Sequence, residues 1–299
     1  MRQLEKKMQI IEKAHAKINL ILMVTGKRQD GYHALQTIFQ SLALHDTLGF
    51  SKVTNGEISV STNHASLTTG VDNLVWRAAT KLKQHYGVTQ GVRIELEKRI
   101  PIAAGLGGGS SDAAATLRGL IRLWQLPWEP QPLAEIAAQL GSDVPFCLAG
   151  GTALGTGRGE KLVALAPCPH FHVVLANPGF PVATAEVYGA VRTAEMAQSH
   201  DIEGMIYAIE KQDPQRVASR LANTLEMATF RLYPAVRALK EEMSKAGAAI
   251  MSGSGPTVFA LFTTAQAAMS LVVALRHRGI PVWLTETQKD DYTGGAARV

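Results

Sequence analysis

Cysteine is nearly absent: the chain has two in 299 residues, Cys147 and Cys168. That is too few for a disulfide framework, and the pair has no metal-ligand spacing. Both read as reduced, structural thiols of a cytoplasmic protein. No run approaches the roughly 18 apolar residues that a membrane helix takes. The opening MRQLEKKMQIIEK is charged and lacks the apolar core of a secretory signal. Aromatics make up 6% and do not interleave with a basic stripe, while lysines and arginines are scattered among acids, as in ALKEEMSK. Both observations argue against nucleic-acid binding. Repeats and low-complexity tracts are missing too. What remains is a net charge of +5 and a pI of about 9.2, a balance that suits a nucleotide or a phosphorylated small molecule.

The chain is 46% hydrophobic and 18% charged, with a mean hydropathy near zero, as a globular protein with room for two domains would be. AKINLILMV, EISVST and VRIELEKRIP read as strands, the last with Val92, Ile94 and Leu96 on one face. Residues 74–86 read as a helix through Leu74, Ala78, Ala79 and Leu82. A second helix leaves Ser110 or Ser111 and is stopped by PWEPQP, and LAEIAAQLG forms a third. The texture changes at residues 165–169, which suggests domains at 1–164 and 165–299. Beyond that point FHVVLANPG and PTVFALF read as strands. DIEGMIYAIEKQD, DPQRVASRLANTLEMATF, YPAVRALKEEMSKAG and TAQAAMSLVVALRHRG read as helices, and DDYTGGAARV as a poorly packed tail. Short strand clusters with helices between them give an α+β class.

The stretch PIAAGLGGGSSDAA carries the strongest chemical signal. A strand runs into four glycines and two serines, and a helix leaves. Glycines let backbone N–H groups converge, and a helix N-terminus adds unsatisfied donors and partial positive charge. The result is an anion cradle fit for a di- or triphosphate, with a flexible turn as the competing reading. Ser110 and Ser111 fit an N-cap or hydroxyl donors to phosphate or Mg²⁺. No Gly-Lys-Ser/Thr follows, Ser110 replaces the third glycine of G-x-G-x-x-G, and GTGRGEK also misses the Walker spacing. Asp112 either stabilises the helix start, facing away from the phosphates, or helps to hold a metal; the first is the expectation.

Other candidates are ambiguous one by one. Lys17 and Asn19 share a face of their strand, where Lys17 is an edge gatekeeper or a site residue. In RQDGYH a turn precedes Tyr32 and His33. Asp143 in LGSDVPF is a cap or turn residue, or a base that accepts a hydroxyl proton. MSGSGPTVFALF supplies a second glycine loop in the other half, expected to close over the same cleft.

Together AHAKINL, RQDGYH, GLGGGSSDAAA, LGSDVPF, GGTALGTGRGE and SGSGPTVFAL resemble the GHMP kinase superfamily over residues 14–258. The resemblance implies a two-domain α+β GHMP kinase fold with the active site in the cleft between domains. It implies Lys17 and Asp143 as the catalytic pair. It also implies an ATP phosphate loop of Pro101, Ile102, Ala103, Ala104, Gly105, Leu106, Gly107, Gly108, Gly109, Ser110 and Ser111. Asn19, Tyr32, His33 and Tyr188 fall where one branch of the family holds a cytidine diphosphate-linked methylerythritol, Tyr32 and Tyr188 stacking on the cytosine and His33 bonding its edge. ATP and Mg²⁺ are the implied cofactors, with Mg²⁺ ligands unassigned, and the assembly is expected to be a monomer or a homodimer. A homoserine- or mevalonate-type kinase, or a non-catalytic sensor of the same fold, are the alternatives. The charged residues ahead of Ala14 have no counterpart in these motifs and are expected to form a solvated arm.

Overall fold

A computed structural model describes residues 10–197 and 200–288. The first half runs β1 Ile10–Lys27, β2 His33–Val53, β3 Ile58–Thr62, α1 Leu74–His85, β4 Gly91–Glu97, α2 Gly108–Trp124, α3 Pro130–Leu140, α4 Val144–Ala149, β5 Thr152–Gly157 and β6 Lys161–Ala164. The second half runs β7 His172–Ala176, α5 Thr184–Gly189, α6 Thr193–Met196, α7 Ile202–Glu210, α8 Pro214–Ser219, β8 Ala222–Asn223, α9 Leu225–Leu232, α10 Pro234–Ser244, β9 Ala248–Met251, β10 Val258–Phe262, α11 Ala265–His277 and β11 Val282–Glu286.

Two sheets organise the molecule. The first has the order β3-β4-β2-β1-β8, with β5 also on β2 and β6 on β5. Its spine is the 21-residue β2, which pairs with β1 along one edge. The other edge is shared: residues 35–40 pair with β5 and residues 47–53 with β4. The second sheet, β11-β7-β10-β9, is antiparallel throughout and draws only on residues after 171. We propose the 165–169 connection between β6 and β7 as the junction of the two domains, 1–164 and 165–299.

Helix α2 is buried on nearly every side, which its composition permits. Ala113, Ala114 and Ala115 keep its girth small, and a Cβ at Gly119 would overlap the ring of Phe50 on β2. Helices α1, α3 and α4 close over it in one core. A second core lies between the sheets, where Ile18 and Leu20 of β1 meet Phe171, Val173 and Phe259. Burial of such side chains contributes about 1.5–3 kcal/mol each, so the sheets are held face to face by apolar contact.

Several expectations are corrected here. The segment DPQRVASRLANTLEMATF is not one helix: α8 ends at Ser219, Ala222 and Asn223 pair in parallel with Ile21 and Leu22 of β1, and α9 starts afresh. Residues 10–13 are no solvated arm but the start of β1, where Glu12 meets Arg118 at 3.3 Å and Arg122 at 2.5 Å. Residues 1–9 of that arm and the whole of the tail DDYTGGAARV, residues 290–299, lie outside the described residues.

Candidate active site

The glycine stretch lies between β4 and α2, and three anchors fix its course. At the entry, the carboxylate of the buried Asp46 on β2 accepts from the backbone N–H groups of Arg99 and Ile100. In the middle, Leu106 O accepts from Lys17 N at 3.0 Å, tying the loop to β1. From the second loop, Ser252 Oγ donates to Gly105 O at 2.9 Å. Two glycines are required by space as well as by conformation. Gly105 (φ +73) has no room for a Cβ against the Ser252 carbonyl oxygen, and one at Gly107 (φ +68) would lie 2.8 Å from Lys17 Cγ.

Helix α2 begins earlier than its serines suggested. Gly107 is the N-cap and makes no side-chain cap bond, so the first-turn N–H groups keep their capacity for an anion. Ser110 borders the cavity beside them. Ser111 does not: its hydroxyl donates to His15 O at 2.7 Å, a structural tie to β1 in place of the expected cap or phosphate contact. Asp112 departs from expectation too. It is 3% exposed and pairs with Lys98 Nζ at 2.7 Å, and Lys98 also meets Asp46. Burial pushes the Asp112 carboxyl up against the pull of Lys98. Burial alone would lower Lys98, yet Asp112 and Asp46 carry it above the ordinary lysine value.

Lys17 sits in the middle of β1, where the register with β2 is irregular on both sides of residues 17–19. Its Nζ donates to Asn19 Oδ1 at 2.9 Å and lies 3.3 Å from Asp143 Oδ2. Asn19 Nδ2 donates to Thr37 Oγ1 at 2.8 Å, and that hydroxyl donates to Ile21 O at 2.6 Å. This chain of bonds fixes the ammonium. Asp143 occupies the N-cap position of α4 without capping it, which leaves its carboxylate free to face Lys17. The lysine side chain is 5% exposed and the aspartate 32%, so the carboxylate is the member open to a ligand.

On the other side of the pair stands an aromatic wall. His33 lies 5.3 Å from Tyr188 between ring centroids, at a tilt of 33°. Burial, then the charge of Lys27, lowers His33, which favours its neutral ring. Burial pushes the Tyr188 phenol up, with a further contribution from Asp143. Tyr32, at the tip of the β1–β2 hairpin, is 56% exposed and carries the Arg158 guanidinium over its ring at 4.9 Å. Thr184, at the start of α5, shares a 2.9 Å hydrogen bond with Ser254 of the second glycine loop.

One cavity of about 980 Å³ brings these groups together. Lys17, Asn19, Tyr32, His33, Asp143, Tyr188 and the loop from Pro101 to Ser110 all line it, as do Gly253 and Ser254. Sequence reasoning missed Thr37, Lys98, Arg158 and Thr184 on its walls. GTGRGE enters the sequence reading as a failed Walker loop and as part of one motif of the family resemblance, with no role for Arg158; its charged tip between two glycines is the available signal for that residue. Chemically, the lining of the cavity combines a helix start able to bind an anion, an aromatic wall and a lysine–aspartate pair. That is the layout for moving a phosphoryl group to a hydroxyl.

Comparison with known proteins agrees with this layout. The family model of the GHMP kinases N terminal domain matches residues 73–151, and that of the GHMP kinases C terminal part matches residues 205–280. The chain is 47% identical over 276 residues to the 4-diphosphocytidyl-2-C-methyl-D-erythritol kinase of Pelotomaculum thermopropionicum, covering 92% of this chain and 96% of the relative. It is 48% identical over 256 residues to the like-named kinase of Bacillus subtilis, covering 85% and 88%. Among solved structures, a 4-(cytidine 5'-diphospho)-2C-methyl-D-erythritol kinase superposes with a TM-score of 0.80 at 37% identity, over 93% of this chain and 100% of that one. A homoserine kinase from Cytophaga hutchinsonii superposes with a TM-score of 0.75 at 19% identity, over 97% of each chain, and shares the fold.

Proposed function

Because this chain belongs to the 4-diphosphocytidyl-2-C-methyl-D-erythritol kinase family of the GHMP kinases, we propose that Asp143 and Lys17 carry out its phosphoryl transfer. The activity is ATP-dependent phosphorylation of that cytidine diphosphate-linked polyol, in the methylerythritol phosphate route to isoprenoid precursors. The acceptor is its 2-hydroxyl. The observation that carries the residue assignment is the 3.3 Å contact between Lys17 Nζ and Asp143 Oδ2, on the wall of the cavity that the glycine loop and the aromatic residues also line.

Asp143 orients the acceptor hydroxyl and takes its proton as the oxygen attacks. Lys17, held by Asn19, faces both the carboxylate and the loop, and offsets negative charge as it shifts during transfer. The first-turn N–H groups of α2 and the loop around Gly105 and Gly107 grip the phosphates of ATP. Among the described residues no group of three or more His, Cys, Asp or Glu side chains could hold a metal alone. Mg²⁺ therefore fits as a companion of the ATP phosphates, with Ser110 and Asp143 as the protein oxygens at hand, and there it would draw off phosphate charge. Tyr188 and His33 receive the cytosine from the inner side and Tyr32 from the rim. Asn19 positions Lys17 and borders the substrate.

Cys147 and Cys168 are buried and unpaired, which suits a reaction placed in the cytoplasm. Among the described residues no helix is long and apolar enough to cross a membrane. The test is direct: give the protein ATP and Mg²⁺ with the cytidine diphosphate-linked polyol, homoserine or mevalonate in parallel, and follow ADP release. Release with the first alone is expected. Release only with another alcohol would reassign the substrate, and release with none would leave a nucleotide-binding sensor.

A further inference from the structure

Two turns meet at one end of the first sheet. β2 pairs with β1 at His33 and Lys27, and with β5 at Leu35 and Gly157. The tip of the β1–β2 hairpin and the β5–β6 turn therefore stand side by side on neighbouring strands. The hairpin presents Tyr32, and the other turn presents Arg158 between Gly157 (φ +74) and Gly159 (φ +103). Both side chains line the cavity.

The neighbouring acids are otherwise engaged. Asp30 is taken by Arg28 at 2.9 Å. Glu160 folds back on its own turn, where it accepts from the backbone N–H of Arg158 and packs against Gly157. Among the described residues no carboxylate oxygen comes within ion-pair distance, 4.0 Å, of the Arg158 guanidinium. The guanidinium rests on the face of Tyr32 at 4.9 Å, and the carboxylate of Asp30 acts on it only at longer range. Lys27, exposed at the end of β1, adds a second cation to the same stretch of rim. A planar cation that rests on an aromatic ring and keeps its N–H donors unpaired is prepared for a phosphate oxygen pair.

We propose that Arg158 is a specificity-determining residue: its guanidinium, seated on Tyr32, takes the diphosphate of the cytidine diphosphate-linked substrate. The inference rests on the functional reading above and adds to it the group that tells a diphosphate-linked alcohol from a bare one. Tyr32 and Tyr188 select for a planar base; neither can count phosphates. Arg158 can, because each N–H···O⁻ contact it makes exists only when a phosphate is present.

The test compares wild type, Arg158→Met and Arg158→Lys by calorimetric titration with cytidine diphosphate and with cytidine, alongside KM for each substrate. Arg158→Met keeps the stem that covers Tyr32 and removes only the charged fork. It is expected to weaken cytidine diphosphate binding about 10- to 100-fold, to leave cytidine binding nearly unchanged and to leave KM for ATP in place. Arg158→Lys should restore part of the loss, because its charge lacks the fork. Equal weakening of both ligands would reduce Arg158 to a prop for Tyr32, and no weakening of either would remove it from the site; both overturn the proposal. Wild-type protein that releases no ADP with the cytidine diphosphate-linked polyol would sink the functional reading and this inference with it. Normal wild-type turnover with an unaffected Arg158→Met variant would sink the inference alone.

Discussion

Lys17 and Asp143 meet at 3.3 Å although one is in the middle of a buried strand and the other at the head of a six-residue helix. Neither position is a natural one for its residue type. The lysine is among apolar neighbours, and the aspartate sits at an N-cap that it does not cap. Each side chain is satisfied by the other, and the pair opens onto the cavity through Asp143.

Replacing Asp143 by Asn removes the carboxylate proposed as proton acceptor while keeping shape and most polarity. Turnover should fall by roughly 10²–10³, about 2.7–4 kcal/mol of transition-state stabilisation. ATP binding and the thermal midpoint should stay close to wild type, since this side chain is the more exposed of the two. Coupled measurement of ADP release, with ATP titration and circular dichroism, checks all three. Near-normal turnover would remove Asp143 from the chemistry.

Gly105→Ala tests the contact between the two glycine loops. An alanine at φ +73 costs about 1–2 kcal/mol from its backbone alone, and its Cβ would press on the Ser252 carbonyl. The expected outcome is a lower urea midpoint together with a raised KM for ATP, as the loops are pushed apart. Gly26→Ala is the control, because no heavy atom lies within 4 Å of the position its Cβ would take and its φ is not positive. An effect on stability without any change in KM for ATP would separate the loop contact from nucleotide binding.

The buried triad of Lys98, Asp46 and Asp112 should respond sharply to loss of its cation. Lys98→Met leaves two carboxylates buried beside one another, and breaking such a pair costs about 3–5 kcal/mol. Adding Asp46→Asn to that variant should recover part of the loss by removing one negative charge. Equilibrium urea unfolding of the single and double variants measures it. A single variant within about 0.5 kcal/mol of wild type would be the result expected of an ordinary surface site.

Stability should fall as pH drops from 7 towards 4.5, with His15 among the causes. Burial lowers His15 to about 4, although its hydrogen bond to Leu42 O works the other way. The unfolded chain, with an ordinary histidine near 6.5, therefore binds more protons than the folded one across this range, so stability rises with pH there and is lost on acidification. The full effect is on the order of 3 kcal/mol once the pH is below both values. His33 and His200 are also lowered by burial and add to the slope. The readout is thus the difference in slope between wild type and His15→Leu, whose urea midpoint should depend less on pH. Identical slopes would acquit His15.

Features decided by neighbours in sequence could be read directly. The density of glycine before an alanine-rich helix, the 3–4 spacing of α1 and the alternation in β4 are all local signals. The longest strand was not legible: residues 37–42 of β2 are buried on both faces, so HALQTIFQSLAL has no alternation to betray it. The break between α8 and α9 depends on β1, since Ala222 and Asn223 leave the helix in order to pair with Ile21 and Leu22. Local spacing carries no trace of that partner. Asp112 misled for the same reason: helix position suggested a dipole role, and Lys98, from outside the helix, decides its company. Among the residues that line the cavity, 101–110, Lys17 and Asp143 are those that motifs single out, while Arg158 looks like any charge on a turn until β2 puts that turn beside Tyr32.

Strand β8 has only two residues, yet it makes the first sheet a product of both halves of the chain. A polypeptide ending at residue 164 would expose that edge of β1, the strand that carries Lys17, along with the Ile18 and Leu20 face that Phe171 and Phe259 cover. Lys17 thus belongs to the first half by sequence and to both by assembly. Cut between β6 and β7, the enzyme should yield two pieces that are insoluble apart and regain activity only when made together.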